Sequence, residues 1–161
     1  MRGIALIVWM AALAGMAGAP DAHAQDPNVI KIVSSLPQTG SANAQIMTIV
    51  NGIKLAIDEV GGKVGDFTIQ YEAWDDASPE RGQWDPAVEA ANADRAVANP
   101  DIMVYIGTFN SGAAKIAMPK LNNAGLLMIS PANTWPGLTK PGVGEANEPA
   151  IYRPTGKVTY Y

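Results

Sequence analysis

The sequence predicts an α/β fold: a doubly wound parallel sheet with helices on both faces. Three observations point there. Short apolar runs at residues 30–35, 102–106 and 126–129 read as strands. Longer segments of helical period lie between them, giving the order βαβαβαβ, which implies a parallel sheet with right-handed crossovers. Two strands end in small hydroxyl and amide residues, at 107–111 and 130–134, as ligand-binding strand ends of such sheets do.

The first strand, IKIVSS, is followed by a turn-rich loop, Leu36-Pro37-Gln38-Thr39-Gly40-Ser41. From about Ala44, apolar residues at Ile46, Ile49, Val50, Ile53, Ile57 and Val60 fall in steps of three and four on one helical face, and Gly61-Gly62 ends the helix. Phe67, Ile69, Tyr71 and Ala73 alternate with Thr68, Gln70 and Glu72, which predicts a half-buried strand near a sheet edge. A second helix is expected over 85–98, with Asp85 as N-cap and Pro86 in the first helical position; Asn99-Pro100 stops it. The unbroken apolar character of 102–106 marks a central strand. A third helix is expected over 111–122, its inner face built from Ala113, Ile116, Ala117, Leu121 and the stem of Lys120, and a fourth strand over 126–129. Met103, Met118 and Met128 read as core fillers. From 136 to 156 the chain carries four prolines and no periodicity, which predicts a long surface loop, and VTYY at 158–161 reads as the start of a fifth strand.

Composition narrows the function. Nearly half of the 161 residues are apolar and 16% are charged, enough for a core. Net charge is −4 without a basic block, so no nucleic-acid surface is expected. Residues 1–24 read as a signal peptide: Arg2, then an apolar run from Ile4 to Ala19, then the small-x-small site Ala22-His23-Ala24, placing the mature start at Gln25. Residues 25–161 are then an N-terminal ligand-binding lobe, cut at the start of a strand, from a longer protein. With no cysteine there is no lipid anchor, disulfide or thiolate metal site. An exported protein without an anchor, and without membrane insertion after cleavage, points to a periplasm. The one histidine, His23, lies in the signal, so Ser-His-Asp and Cys-His catalysis cannot be built from the mature residues. The expectation is a binding protein, not an enzyme, with no cofactor and no metal.

The strand-end loops are 36–44, 74–84, 107–111 and 130–134. The segment GTFNSGAAK begins Gly-x4-Gly like a phosphate loop, but Ala113 and Ala114 stand where that loop needs Lys and Ser/Thr, so nucleotide binding is not supported. Ser111 opens a helix, where its hydroxyl and the amides of Gly112 and Ala113 suit one carboxylate. Thr134 can donate to that carboxylate and accept from an ammonium, and the Ala132 carbonyl, freed by the strand end, can also accept from an ammonium. Together they would clamp an α-amino acid. Ser111 as a plain N-cap and Thr134 as a plain turn residue fit the residues equally well. Asp75 and Asp76 point to opposite faces, so at least one serves as a cap or is solvated. Trp74 and Trp84 read as packing residues, and Glu80–Arg81 as a surface pair.

From Ile30 to the end, the chain resembles the periplasmic substrate-binding proteins of branched-chain amino acid ABC importers, with the type I periplasmic binding fold. The resemblance rests on NGIKLAIDEVGG, YEAWDDASP, YIGTFNSGAA, AGLLMISPANT and YRPTGK, and on the ungapped spacing from Gly107 through Ser111 and Gly125 to Ala132 and Thr134. It implies that Ser111 and a backbone amide of Thr134 hold the ligand carboxylate, while the Ala132 carbonyl and the Thr134 hydroxyl hold the ammonium. Asn110, Gln45 and Trp135 complete the expected ligand-binding set. It also implies a second lobe, a small-molecule ligand and an inner-membrane ABC permease as partner. Two departures, Ala44-Gln45 where many members place an aromatic and the apparent insertion RGQW at 81–84, put leucine, isoleucine or valine specificity in doubt, as does Trp135. A sensing domain of a signalling receptor and an amide- or urea-type binding protein are the alternatives on this fold.

Overall fold

The structure is a computed structural model that describes residues 27–139. Along the chain run β1 (Val29–Leu36), α1 (Asn43–Glu59), β2 (Lys63–Val64), β3 (Phe67–Asp75), β4 (Ala77–Ser78), β5 (Gln83–Trp84), α2 (Pro86–Ala98), β6 (Ile102–Gly107), α3 (Ser111–Ala124) and β7 (Leu127–Ile129). The main sheet has the order β2-β3-β1-β6-β7. β1 pairs in parallel with both β3 and β6, and β6 with β7, while β2 adds an antiparallel edge. The sheet is therefore mixed at one margin. The chain leaves β1 first to one side and then to the other, so the switch point lies between the carboxyl ends of β1 and β6.

Helices cover both faces. Ile46 and Val50 of α1 pack with Leu36 on one side. On the other, α2 and α3 bring Ala93, Ala96, Ala114, Ala117, Met118 and Leu121 against Val33, Trp74, Tyr105 and Met128. The alanines let the two helices and the sheet approach closely. Asp85 caps α2 by accepting from the Ala87 amide at 2.8 Å, with Pro86 at the first turn.

Several expectations change. The buried stripe of α3 also takes in Ala114 and Met118; Ile116 is half-buried, and Lys120 pairs at 2.6 Å with Asp94 of α2. Met103 is half exposed instead of filling the core, because a register shift between β1 and β6 sets Val104, two residues after Ile102, opposite Ile32 and leaves Met103 without a partner there. The loop expected from 136 begins with a 3-10 turn, Pro136–Leu138, and Leu138 is fully buried in the α2–α3 core. The segment 77–84, read as loop, is the antiparallel ribbon β4–β5. The signal peptide at 1–24, the rest of the 136–156 loop and the strand at 158–161 lie outside the described residues.

One polar junction sits inside this core. Glu89 of α2 is fully buried and accepts from Ser35 Oγ at 2.6 Å and Tyr105 OH at 2.8 Å. Asn92, one turn on, donates to Ser35 Oγ and to the Asp75 carbonyl, both at 2.9 Å. One helix is thereby tied to β1, β3 and β6. Asp76 is equally buried, and among the described residues neither of its carboxyl oxygens has a hydrogen-bond partner. Burial, then the neighbouring Asp75, pushes the Asp76 carboxyl up to about 7. Burial pushes Glu89 up to about 8 against the opposing pull of its two hydroxyl donors.

A carboxyl whose folded pKa is raised binds its proton more tightly in the native state, so the unfolded chain holds fewer protons as pH climbs from about 4.5 to about 8. Stability should be highest at the acid end of that window and fall across it, by up to about 1.4 kcal/mol per pH unit for each titrating group. Thermal melts of Glu89→Gln should show a shallower fall than wild type; an unchanged slope would mean that Glu89 does not carry the proton. Separately, Gly40 adopts φ +79°, and a Cβ there would stand 2.1 Å from the Gly82 carbonyl oxygen. Gly40→Ala should cost about 1–3 kcal/mol by chemical denaturation. Gly52→Ala, on open helix surface in α1, should be neutral or stabilising by about 0.5–1 kcal/mol.

Candidate functional site

The crevice at the switch point is walled by four segments, each fixed by its own backbone. Asp75, at the end of β3, holds the loop after β1: its carboxylate accepts from the Gln38 amide at 2.8 Å, the Ala77 amide at 2.9 Å and Thr39 Oγ at 2.7 Å. With three donors from residues 38, 39 and 77 on one carboxylate, Asp75 acts as a loop clamp. The loop then meets the β4–β5 ribbon, where the Ser41 amide donates to the Gly82 carbonyl at 3.0 Å and Gly40 lies against the same carbonyl.

The ribbon is braced in turn. Ser78 Oγ donates to Asp85 at 2.8 Å, the Asp85 amide donates to the Asp76 carbonyl at 2.7 Å, and Arg81 Nε donates to the Trp84 carbonyl at 3.2 Å. The Ser78 hydroxyl, then the Ala87 amide, hold the Asp85 carboxyl below its ordinary range. Arg81 thus turns to Trp84, whose ring centroid is 6.0 Å from its guanidinium carbon, where the sequence pointed to Glu80. The Trp84 indole lies against Gly112 in the first turn of α3. Trp74, by contrast, is core, with Arg95 stacked 3.9 Å from its ring centroid.

At the ends of β6 and β7, two loops are knitted together. Ser130 Oγ donates to the Thr108 carbonyl at 3.0 Å and accepts from the amides of Ala132 and Asn133 at 3.2 and 2.9 Å. Asn133 Nδ2 reaches the Phe109 carbonyl at 3.2 Å. Asn110 occupies the N-cap position of α3 without a side-chain cap bond; its carbonyl takes the Ala113 and Ala114 amides at 3.0 and 3.1 Å. The Ala113 amide, expected to point at a ligand, is therefore already used.

Ser111 is the first helical residue and not the cap. Its Oγ accepts from the amides of Thr134 and Trp135, each at 3.2 Å. A serine hydroxyl has two acceptor positions and one proton to give. With both acceptor positions filled by N–H groups, what Ser111 retains is a donor, at the positive end of α3. The same contact changes the expected role of the Thr134 amide: it donates to Ser111 and not outward.

Of the residues singled out from the sequence, Asn110, Ser111, Ala132, Thr134 and Trp135 lie on these two joined loops. Thr134 is exposed, Ala132 and Trp135 are half-buried, and Lys115 Nζ stands 4.4 Å from the Trp135 ring centroid. Gln45 belongs to another wall, the exposed first turn of α1. Sequence reading missed the Glu89 junction, although Glu89 falls at the i−4 and i−7 positions of the buried Ala93 and Ala96 and so on the inner stripe of α2. It also missed the contact of Trp84 with Gly112, which no local pattern encodes. Among the described residues no cluster of acidic, histidine or cysteine side chains could hold a metal ion, and no helix is long and apolar enough to cross a membrane.

Comparison with known proteins places this geometry. The sequence profile of the family described as periplasmic binding protein matches residues 29–157. The Leu/Ile/Val-binding protein BraC3 of Rhizobium johnstonii is 34% identical over 134 residues, which cover 81% of this chain and 33% of that protein. Among solved structures, the branched-chain amino acid transporter substrate-binding protein LivJ of Streptococcus pneumoniae, in complex with isoleucine, is 28% identical with a TM-score of 0.60, over 69% of this chain and 31% of that one. An ABC-transporter solute-binding protein of Rhodopseudomonas palustris, in complex with 3,4-dihydroxybenzoic acid, is 26% identical with a TM-score of 0.58, over 66% and 28%. The chain thus spans about a third of the length of these relatives. With a sheet whose strand order reverses between β1 and β6, loops joined at the strand ends and a match over most of its length, the chain belongs to the periplasmic binding protein family, type I fold.

Proposed function

We propose that this chain forms the N-terminal lobe of an exported solute-binding receptor, which captures a small carboxylate-bearing solute, an amino acid of the branched-chain type or a related compound, and delivers it to an ABC permease in the inner membrane. In this reading residues 1–24 are a cleaved signal peptide, the mature protein is periplasmic, and a second lobe closes over the crevice. It binds and does not catalyse.

The observation that carries the proposal is the state of Ser111 Oγ, filled as an acceptor by two backbone amides and left with one proton to donate. A carboxylate is acceptor-only, so it complements that group. The helix N-terminus adds about 0.3–1 kcal/mol for an anion. The two ligands carried by the relatives, isoleucine and 3,4-dihydroxybenzoic acid, differ in side chain and charge but share one carboxylate. The Thr134 hydroxyl and the Ala132 carbonyl, on the same loop, would take an ammonium where the ligand has one. Asn110, Gln45 and Trp135 line the remaining walls.

In the complete receptor, Ser111→Ala should weaken carboxylate binding about tenfold to hundredfold, the loss of one charge-assisted hydrogen bond. It should also lower the melting temperature, because the Thr134 and Trp135 amides lose their acceptor. Thr134→Val removes a hydroxyl that bonds to no group among the described residues and should weaken amino-acid binding without a change in melting temperature. If calorimetry finds ligand affinity unchanged in both variants, these residues only shape the loop and the proposal fails.

A further inference from the structure

We propose that the buried carboxyl of Asp76 is a proton-operated latch for the β4–β5 ribbon: as the neutral acid it lets the ribbon dock against the rim of the crevice, and its ionisation releases the ribbon from the loop after β1 and from the start of α3.

Asp76 stands between β3 and β4, where the ribbon leaves the sheet. Its amide donates to the Leu36 carbonyl at 3.3 Å and its carbonyl accepts from the Asp85 amide at 2.7 Å, so its backbone joins the end of β1 to the far end of the ribbon. The side chain is fully buried, and among the described residues neither carboxyl oxygen has a partner. The neighbouring aspartate differs: Asp75 takes donors from residues 38, 39 and 77.

The groups around Asp76 offer it no opposite charge. The end of β1 and the loop after it, residues 34–41, contain no cation. β3 brings Asp75, α2 brings Glu89 and the capping Asp85, and β6 brings the Tyr105 hydroxyl, which is bonded to Glu89. Of the ribbon's own charges, Glu80 is exposed and Arg81 turns to the Trp84 carbonyl. Lys31 and Arg95 are bonded to Glu72. A carboxylate without solvent, donor or cation is stable only as the neutral acid or after moving to water. Burial, then Asp75, raises the Asp76 carboxyl to about 7. Glu89, raised chiefly by burial, is raised further by Asp76.

For Asp76, moving to water means lifting the ribbon. The ribbon is a small element, with Ala77 opposite Trp84 and Ser78 opposite Gln83. It is docked by the Ser41 amide on the Gly82 carbonyl at 3.0 Å, by the Asp85 amide on the Asp76 carbonyl and by the contact of Trp84 with Gly112. So short an element can open without unfolding the sheet. The docked state raises the pKa above the value of about 3.9 for a solvated aspartate. Its preference for docking is therefore fully present below about pH 4 and is lost as pH rises to about 7.

The test is amide hydrogen exchange of the complete receptor by NMR from pH 5 to 8, corrected for the intrinsic pH dependence of exchange. The Ser41 and Asp85 amides should exchange through a local opening, faster than the amides of β1 and β6 at every pH. Their protection should fall by up to about tenfold per pH unit between pH 5 and 7 and level off above it, as release of one proton requires. Asp76→Asn should hold their protection constant across the range, while Glu89→Gln should keep the wild-type fall. Asp76→Leu provides the same comparison if the asparagine variant does not fold, and the wild-type profile can refute the latch by itself. Protection that does not change with pH, ribbon amides that exchange only together with those of β1 and β6, or a fall that persists without the Asp76 carboxyl would each overturn it.

Discussion

The buried carboxyl of Glu89 is the point on which the arrangement of the strand ends depends. Its two oxygens take the hydroxyls of Ser35 and Tyr105, from β1 and β6, and those are the strands between which the crevice opens. Asn92 extends the junction to the end of β3. A fully buried carboxyl is stabilised here by hydrogen bonds and by keeping its proton, not by a paired cation. The geometry of the crevice is thus set from beneath, by α2. Removing a partner would leave an unsatisfied polar group in the core, a cost of about 1–3 kcal/mol.

Above this junction the loops are held by side chains that bond backbone. Asp75 fixes the loop after β1, Ser130 and Asn133 fix the loop after β7 to the loop after β6, and Ser111 takes the amides that close the last turn. Short polar residues do this work because they reach their neighbours' amides without a long flexible stem. The result is a rim whose hydrogen-bonding capacity is largely used internally. A donor left over in such a rim, as at Ser111, has few roles within the protein, and the proposed ligand role follows from that accounting.

Much of this was legible in the sequence. Period located the three main helices and the four parallel strands to within a few residues, because each element carries its own apolar pattern; Asp85-Pro86 marked the start of α2, while α3 runs two residues past its expected end at 122, to a left-handed cap at Gly125. Chain order placed the loops after β6 and β7 side by side. What period could not supply was anything decided by contact across the fold. The two-residue strands β4 and β5 are too short for a pattern, and RGQW read as an insertion whose packing partner, Gly112, lies twenty-eight residues beyond Trp84. Met103 was misplaced because a register shift is a property of a strand pair and not of one strand. The bond of the Thr134 amide to Ser111 is invisible in the sequence because the two residues are brought near only by the pairing of β6 with β7.

The central claim is that Ser111 keeps both loop amides and gives its proton to a ligand carboxylate. A crystal structure of the complete receptor with a bound carboxylate ligand tests it most directly. The account predicts a carboxylate oxygen about 2.5–2.7 Å from Ser111 Oγ, as a charged O–H···O bond requires, with the Thr134 and Trp135 amides still on the same hydroxyl. A carboxylate held elsewhere, with Ser111 Oγ satisfied wholly within the protein, would contradict it.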